Sequence, residues 1–266
     1  MARANRHFIP GCIWHITHRC HKREFLFKFS RDRNRCVQLL FEARKRYGLS
    51  ILNYVVTSNH IHLVVTDNGK QETIPKSMQY IAGRVGQEYN QRKNRKGAFW
   101  QDRYHATAIE SGDHLWQCLV YVDLNMVRAG VVDHPAKWQW GGYNEIQYPK
   151  ARYRLIDHQL LQRLFSIDMH EQFAQTHKQW VDSKLATKQT RQEQFTQSVA
   201  VGSEAFVTGV QKALGIRAKG RNVASAPDGA HQLREPLFEY GNASNEGKQI
   251  YIKDHDSENQ IPWNTR

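Results

Sequence analysis

No apolar stretch in this 266-residue chain approaches the ~18 residues needed to span a bilayer, so neither a membrane anchor nor a membrane partner is expected. The opening MARANRHFIPGCIWHIT has no continuous apolar segment of the kind a secretory leader uses, and none is expected. Cysteine is scarce. The four present, Cys12, Cys20, Cys36 and Cys118, form no CxxC pair. That excludes a disulfide framework and a zinc site built on paired thiolates, and it suits a reducing cytoplasm. Internal repeats are also lacking.

Acidic residues are in short supply in one part of the chain. Residues 1–150 hold 23 Lys and Arg against 12 Asp and Glu, whereas residues 151–266 hold 15 against 13. Most of the net charge of +13 therefore belongs to the first 150 residues. A polyanion partner follows, with nucleic acid favoured over a lipid surface, and plain solubility charge is the competing reading. Nucleic acid as partner puts the protein at the nucleoid within the cytoplasm.

Strand and helix signals alternate through that basic part. Residues 12–19 read as a strand, and 31–47 as a helix with Ser30 as cap and Gly48 as stop. Strands at 50–57 and 61–66 are joined by a very short turn at Ser58-Asn59, which is hairpin spacing. A helix over 73–91 with Pro75 in its first turn, a strand near 104–110 and a helix from Asp113 to Gly130 complete the series. The order predicts an α+β domain, a ferredoxin-like antiparallel sheet with helices on one face. The boundaries expected are a domain over 1–145, a mainly helical C-terminal extension over 146–217 and a polar tail over 218–266. The extension includes a helix capped by Ser203 and stopped by Gly215.

Two histidines stand one residue apart in NHIHLVV. In a strand, i and i+2 share a face, so His60 and His62 project together while Ile61 points into the core. Such a pair is either a hydrogen-bonded structural pair or two ligands of one divalent cation. Further along, Gln117, Tyr121 and Asn125 follow at i, i+4 spacing, with Arg128 continuing the stripe. Leu115, Leu119, Val122 and Met126 take a separate apolar face. An amide oxygen beside two neutral imidazoles suits Mg²⁺ or Mn²⁺, and a tyrosine beside such an ion can act as a nucleophile on a phosphodiester. The bland alternative is a surface Tyr and Asn on an ordinary helix.

The segments YVVTSNHIHLVV, FWQDRYHATAI and YVDLNMVRAGVV occur in that order. With IPGCIWHITHRCHKREFLF before them and WQWGGY after, they resemble the single-tyrosine HUH transposases. The likeness is to the REP-associated tyrosine transposases and their insertion-sequence (IS200-like) relatives, and it covers about residues 1–145. It implies that His60 and His62 are the metal pair, Asn125 the third ligand and Tyr121 the nucleophile. It implies a single-stranded DNA substrate beside a hairpin, cleaved to a 5′-phosphotyrosine intermediate and a free 3′-OH, with a monomer or homodimer as the working form. Two departures stand out. Ser58 takes the place where many relatives have proline, and Met126 the place where many have proline after the asparagine. Neither removes a ligand. The alternative reading is a domesticated hairpin-binding protein with little or no cleavage.

Candidate DNA contacts are Arg19, Lys22 and Arg23 after the first strand, Arg92, Lys93, Arg95 and Lys96 in the basic loop, and Arg128. Arg44, Lys45 and Arg46 are further phosphate candidates. Cations beside Phe99 and Trp100 are the mixture a single-strand groove uses.

Overall fold

The structure, a computed structural model, describes residues 9–187, 192–226 and 229–234. Its first half is β1 (Ile13–Arg19), α1 (Ser30–Tyr47), β2 (Ser50–Val56), β3 (His60–Thr66), α2 (Thr73–Lys93) and β4 (His105–Ile109). These four strands lie in the order β2-β3-β1-β4, each antiparallel to its neighbour, which is the ferredoxin-like arrangement. The β2–β3 turn is as short as its sequence requires: the Thr57 hydroxyl accepts from the backbone N–H of both Asn59 and His60. Helix α1 begins one residue earlier than Ser30 as cap would require, with Phe29 at the N-cap position, while Gly48 stops it in the left-handed region.

Strand alternation sorts β1 into two faces. Trp14, Ile16 and His18 face α2, since His18 stacks on Trp100 at 4.0 Å and the Trp100 indole donates to the Ala82 carbonyl. Helix α1 lies along α2 on this face, clamped by a bidentate Arg35–Glu88 pair at 2.6 and 2.9 Å. Leu39, Leu40 and Ala43 from α1 and Met78 and Ile81 from α2 fill the core between helices and sheet. His15, Thr17 and Arg19 look the other way.

Helix α3 (Asp113–Asp123) covers that second face. The expected helix to Gly130 is two helices: α3 stops when Leu124 leaves helical geometry (φ −77°, ψ 3°), and α4 (Asn125–Arg128) restarts after it. Gly112 rather than Asp113 occupies the cap position of α3. A bulge in β2 between Ile51 and Asn53 turns Asn53 toward α3, where its amide donates to the Leu119 carbonyl (3.1 Å) and to Asp123 (2.9 Å).

The chain then adds α5 (Tyr143–Gln147), α6 (His158–Phe165), α7 (His170–Leu185) and α8 (Gln194–Gln197). One strand, β5 (Ala200–Gly202), interrupts the expected helical character, with α9 (Glu204–Leu214) after it, and two more, β6 (Asn222–Ser225) and β7 (His231–Arg234), fall in the expected polar tail. Strand β5 pairs parallel to β4, and the sheet continues to β7 and β6, seven strands in all among the described residues. These strands were hard to foresee because each has only three or four residues, too few for a period of two to register. Ser203 caps α9 as expected, accepting from the Phe206 N–H. Of the expected polar tail, residues 235–266 lie outside the described residues. Among the described residues, no helix is long and apolar enough to cross a membrane.

Candidate active site

Cross-strand register builds the site in rows. On one face of β3, β1 and β4, Arg19 lies opposite His60, Thr17 lies between His62 and His105, and His15 lies between Val64 and Thr107. Here the two sequence histidines come together with ring centroids 4.8 Å apart and nearly perpendicular planes. His60 Nδ1 is held by Asn59 Oδ1 (2.6 Å) and Thr57 Oγ1 (3.0 Å), both from the hairpin turn.

His62 is buried and oriented by a partner that motif reasoning passed over. Its Nδ1 is 2.9 Å from His15 Nε2 and 3.2 Å from Thr17 Oγ1, and His15 Nδ1 is 2.7 Å from the Phe195 carbonyl. A carbonyl only accepts, so His15 carries its proton on Nδ1 and presents a lone pair at Nε2. His62 therefore donates from Nδ1, which leaves the lone pair of its Nε2 facing outward. That atom is 3.1 Å from the side-chain amide of Asn125. Burial, with further help from His60 and His15, holds His62 well below the ordinary histidine range. Burial likewise pushes His15 down to about 4. Both rings are thus neutral near pH 7, the form a metal ligand needs.

Tyr121 comes from α3 of the same chain. Its ring stands edge-on to His15 (5.8 Å) and to His62 (5.9 Å) and leans on Phe195 at 5.2 Å. It is 4% exposed. The Arg128 guanidinium lies 4.1 Å from the tyrosine ring centroid and donates to the Tyr121 carbonyl at 2.9 Å. Arg128 is thus engaged with the tyrosine and the end of α3. The donor set fits a hard divalent ion: two imidazoles and one amide, which a carboxamide flip turns oxygen-first. Among the described residues, no group of three or more His, Cys, Asp or Glu could hold a metal ion.

The sequence of this region matches a family model described as "Transposase IS200 like" over residues 9–124. Over residues 9–124 the chain resembles the IS200-like transposases. The match ends one residue short of Asn125 and takes in His60, His62 and Tyr121. Among solved structures, a REP-associated tyrosine transposase bound to a REP hairpin is similar at 17% identity and a TM-score of 0.47, covering 64% of this chain and 91% of that one. A candidate transposase from Deinococcus radiodurans R1 is similar at 12% identity and a TM-score of 0.32, covering 48% of this chain and 95% of that one. No curated protein matches the chain.

The candidate DNA contacts fall in two places. Arg19 and Arg23 line a cleft beside the histidine pair. Lys22 and Arg23 are consecutive left-handed residues (φ 49° and 59°), a tight turn that follows directly on β1. The basic loop lies at the end of α2, where its residues are largely engaged. Arg92 pairs with Asp32 and lies over Tyr89, Lys93 lies over Phe29, and Arg95 bonds Asn90, Ala98 and, at 3.6 Å, Glu24. Lys96 is exposed. Cys20 and the nearby histidines do not converge: Cys20 is fully buried, while His15 and His18 point to opposite faces of the sheet.

Sequence reasoning missed His15 and Phe195 as parts of this site. Alternation in CIWHITHR places His15, Thr17 and Arg19 on one face and was open to reading. The register that puts that face beside His62, and the return of residue 195, were not.

Proposed function

We propose that the chain is a metal-dependent tyrosine strand transferase acting on single-stranded DNA next to a hairpin. Tyr121 is the nucleophile, and His60, His62 and Asn125 hold one Mg²⁺ or Mn²⁺ ion. What supports this most is the meeting of His62 Nε2 with the Asn125 amide at 3.1 Å, beside the Tyr121 ring, from two segments 63 residues apart. A pure DNA binder has no need of that arrangement.

In this reading an ion held by His60, His62 and Asn125 would neutralise charge on the phosphoryl oxygens. Tyr121 Oη gives up its proton and attacks the phosphorus, the bond to the 3′ oxygen breaks, and that oxygen leaves as a 3′-OH by taking up one proton in exchange for the one the phenol lost. The 5′-phosphate stays on the tyrosine. Rejoining reverses these steps, so no nucleotide is consumed. The His15 ring fixes His62, and Arg128 fixes the backbone end of the helix carrying Tyr121. Arg19, Lys22 and Arg23, with Lys96 and the loop residues Arg92, Lys93 and Arg95, supply cations for the DNA backbone. One chain brings nucleophile and ligands together, which fits a monomer as well as each half of a homodimer.

The domain boundary proposed here lies later than 145. Phe195 belongs to the same site as His15, so the catalytic unit extends at least through β5.

The test uses a hairpin-bearing single-stranded oligonucleotide with Mg²⁺ or Mn²⁺. The parent protein forms an SDS-resistant covalent adduct, Tyr121→Phe forms none, and His60→Ala loses at least a hundredfold in rate, about 3 kcal/mol of barrier. An adduct from Tyr121→Phe moves the nucleophile elsewhere. Hairpin binding by the parent with no adduct at all favours the binding-protein alternative.

A further inference from the structure

The face of the sheet that carries the histidine pair runs on into a cleft of about 340 Å³. Thr17 joins the two, since it lines the cleft and its hydroxyl is 3.2 Å from His62 Nδ1. Arg19, on the cleft floor, lies directly opposite His60 in the β1–β3 register. Anything bound at the histidine pair therefore has this cleft as its neighbour along the sheet.

Charge gives the cleft its chemistry. Arg19, Arg23 and Arg103 surround it from β1, from the left-handed turn after β1 and from the loop before β4. One acid, Asp102, is present, and its carboxylate is turned back to accept from the Arg103 N–H at 2.7 Å. Three guanidinium forks against one engaged carboxylate make a phosphate site. Gln101 and Gln197 stand at the rim with amides that both donate and accept, the equipment for the edge of an unpaired base. His105 offers a ring, held in place where its Nε2 donates to the Ser198 carbonyl at 3.0 Å. The volume is at the small end for ligand pockets, enough for one nucleotide and too little for a duplex.

We propose that this cleft is a subsite for one unpaired nucleotide of the DNA strand flanking the scissile phosphate, with base preference set partly by the C-terminal extension. Gln197 and Thr196 come from α8, well past the residues 9–124 that match the family model. The extension thereby supplies one wall of the place where the strand is read. The proposal rests on the strand-transfer reading for the source of the strand, and its test runs without chemistry.

Fluorescein-labelled oligo-dT, oligo-dA and oligo-dC are titrated by anisotropy at several salt concentrations, beside a blunt-ended hairpin duplex. Arg103 and Gln197 are both exposed, so their variants keep the fold. Arg103→Ala weakens oligo-dT binding about tenfold and lowers the slope of log affinity against log salt by about 0.7. Gln197→Ala evens out the differences among the three oligonucleotides. Duplex binding stays at the parent value for both. Unchanged oligo-dT affinity and slope for Arg103→Ala overturn the subsite. So does an equal loss on the duplex, which assigns Arg103 to the general positive field. If these effects appear but the parent never forms an adduct with a hairpin substrate, the subsite stands and the Tyr121 reading falls.

Discussion

One imidazole, His15, holds the candidate metal ligand His62 in place, and it is itself anchored on a carbonyl rather than a carboxylate. A carbonyl orients without adding charge, so His62 stays a neutral donor in a buried setting. His15→Ala removes the anchor and leaves the His62 ring free to turn. Mn²⁺ affinity, measured by calorimetry, is expected to fall 10- to 100-fold, as is usual for loss of such an outer partner. Unchanged affinity would mean that Thr17 alone sets the ring. Stability follows the same residues. His15 is pushed down to about 4 by burial, and so is His158, by burial and by its neighbour His170. A folded pKa below the unfolded value of ~6.5 means the unfolded chain takes up protons first. Stability is therefore complete above pH 6.5, falls between 6.5 and 4, and levels off below. The share of the fully buried His15 is about 2 kcal/mol at pH 5. Urea midpoints at pH 7 and pH 5 should differ for the parent and differ less for His15→Gln. The face shared by His60 and His62 was legible from alternation alone. That His15 stands behind them was not, since it depends on register, and a one-residue slip would reverse it.

At the scale of elements, the helix bearing Tyr121 is pinned from behind. Asp123, two residues on, is buried between the Asn53 amide and His177 Nε2 at 2.8 Å, and His177 Nδ1 meets Gln147 at 3.0 Å. Trp116 is stacked among Phe173 and Trp180, with Phe165 tilted against it at 4.2 Å. Helix α3 thus has two packed faces, the sheet on one and α6 and α7 on the other. His177→Ala strands a buried carboxylate and should cost roughly 3 kcal/mol, read as a drop in Tm. A loss under ~1 kcal/mol would show that Asn53 alone satisfies Asp123. Gly142 belongs to the same arrangement, because a Cβ there would run into Asn53 Oδ1. The apolar positions of α3 announced a packed helix from spacing alone. The break at Leu124 carried no breaker residue to announce it, and the polar partners came from α7, whose pairing no local pattern encodes.

Across the whole molecule, the seven-stranded sheet makes the ferredoxin-like half and its extension a continuous layer, joined at the parallel β4–β5 pair. The fold class could be read because strand, helix and hairpin signals alternate strongly over the first 110 residues. The extension could not, because its strands are short and its role is to complete what came earlier. A chain ended after Gln147 lacks His177, Phe195 and β5, and would expose Trp116, Tyr121 and the edge of β4. Such a truncation is expected to aggregate or to lose cooperative unfolding by circular dichroism. A soluble, cooperatively folding product would restore a boundary near 145.

The hydrogen bond from His15 to the Phe195 carbonyl spans 180 residues of sequence. During synthesis, His60, His62 and Tyr121 all leave the ribosome long before residue 195 does. A nascent chain therefore carries the candidate ligands and the tyrosine with the orienting anchor still unmade. Order of translation acts here as a safety catch: the anchor of the candidate centre forms only once residue 195 has been made.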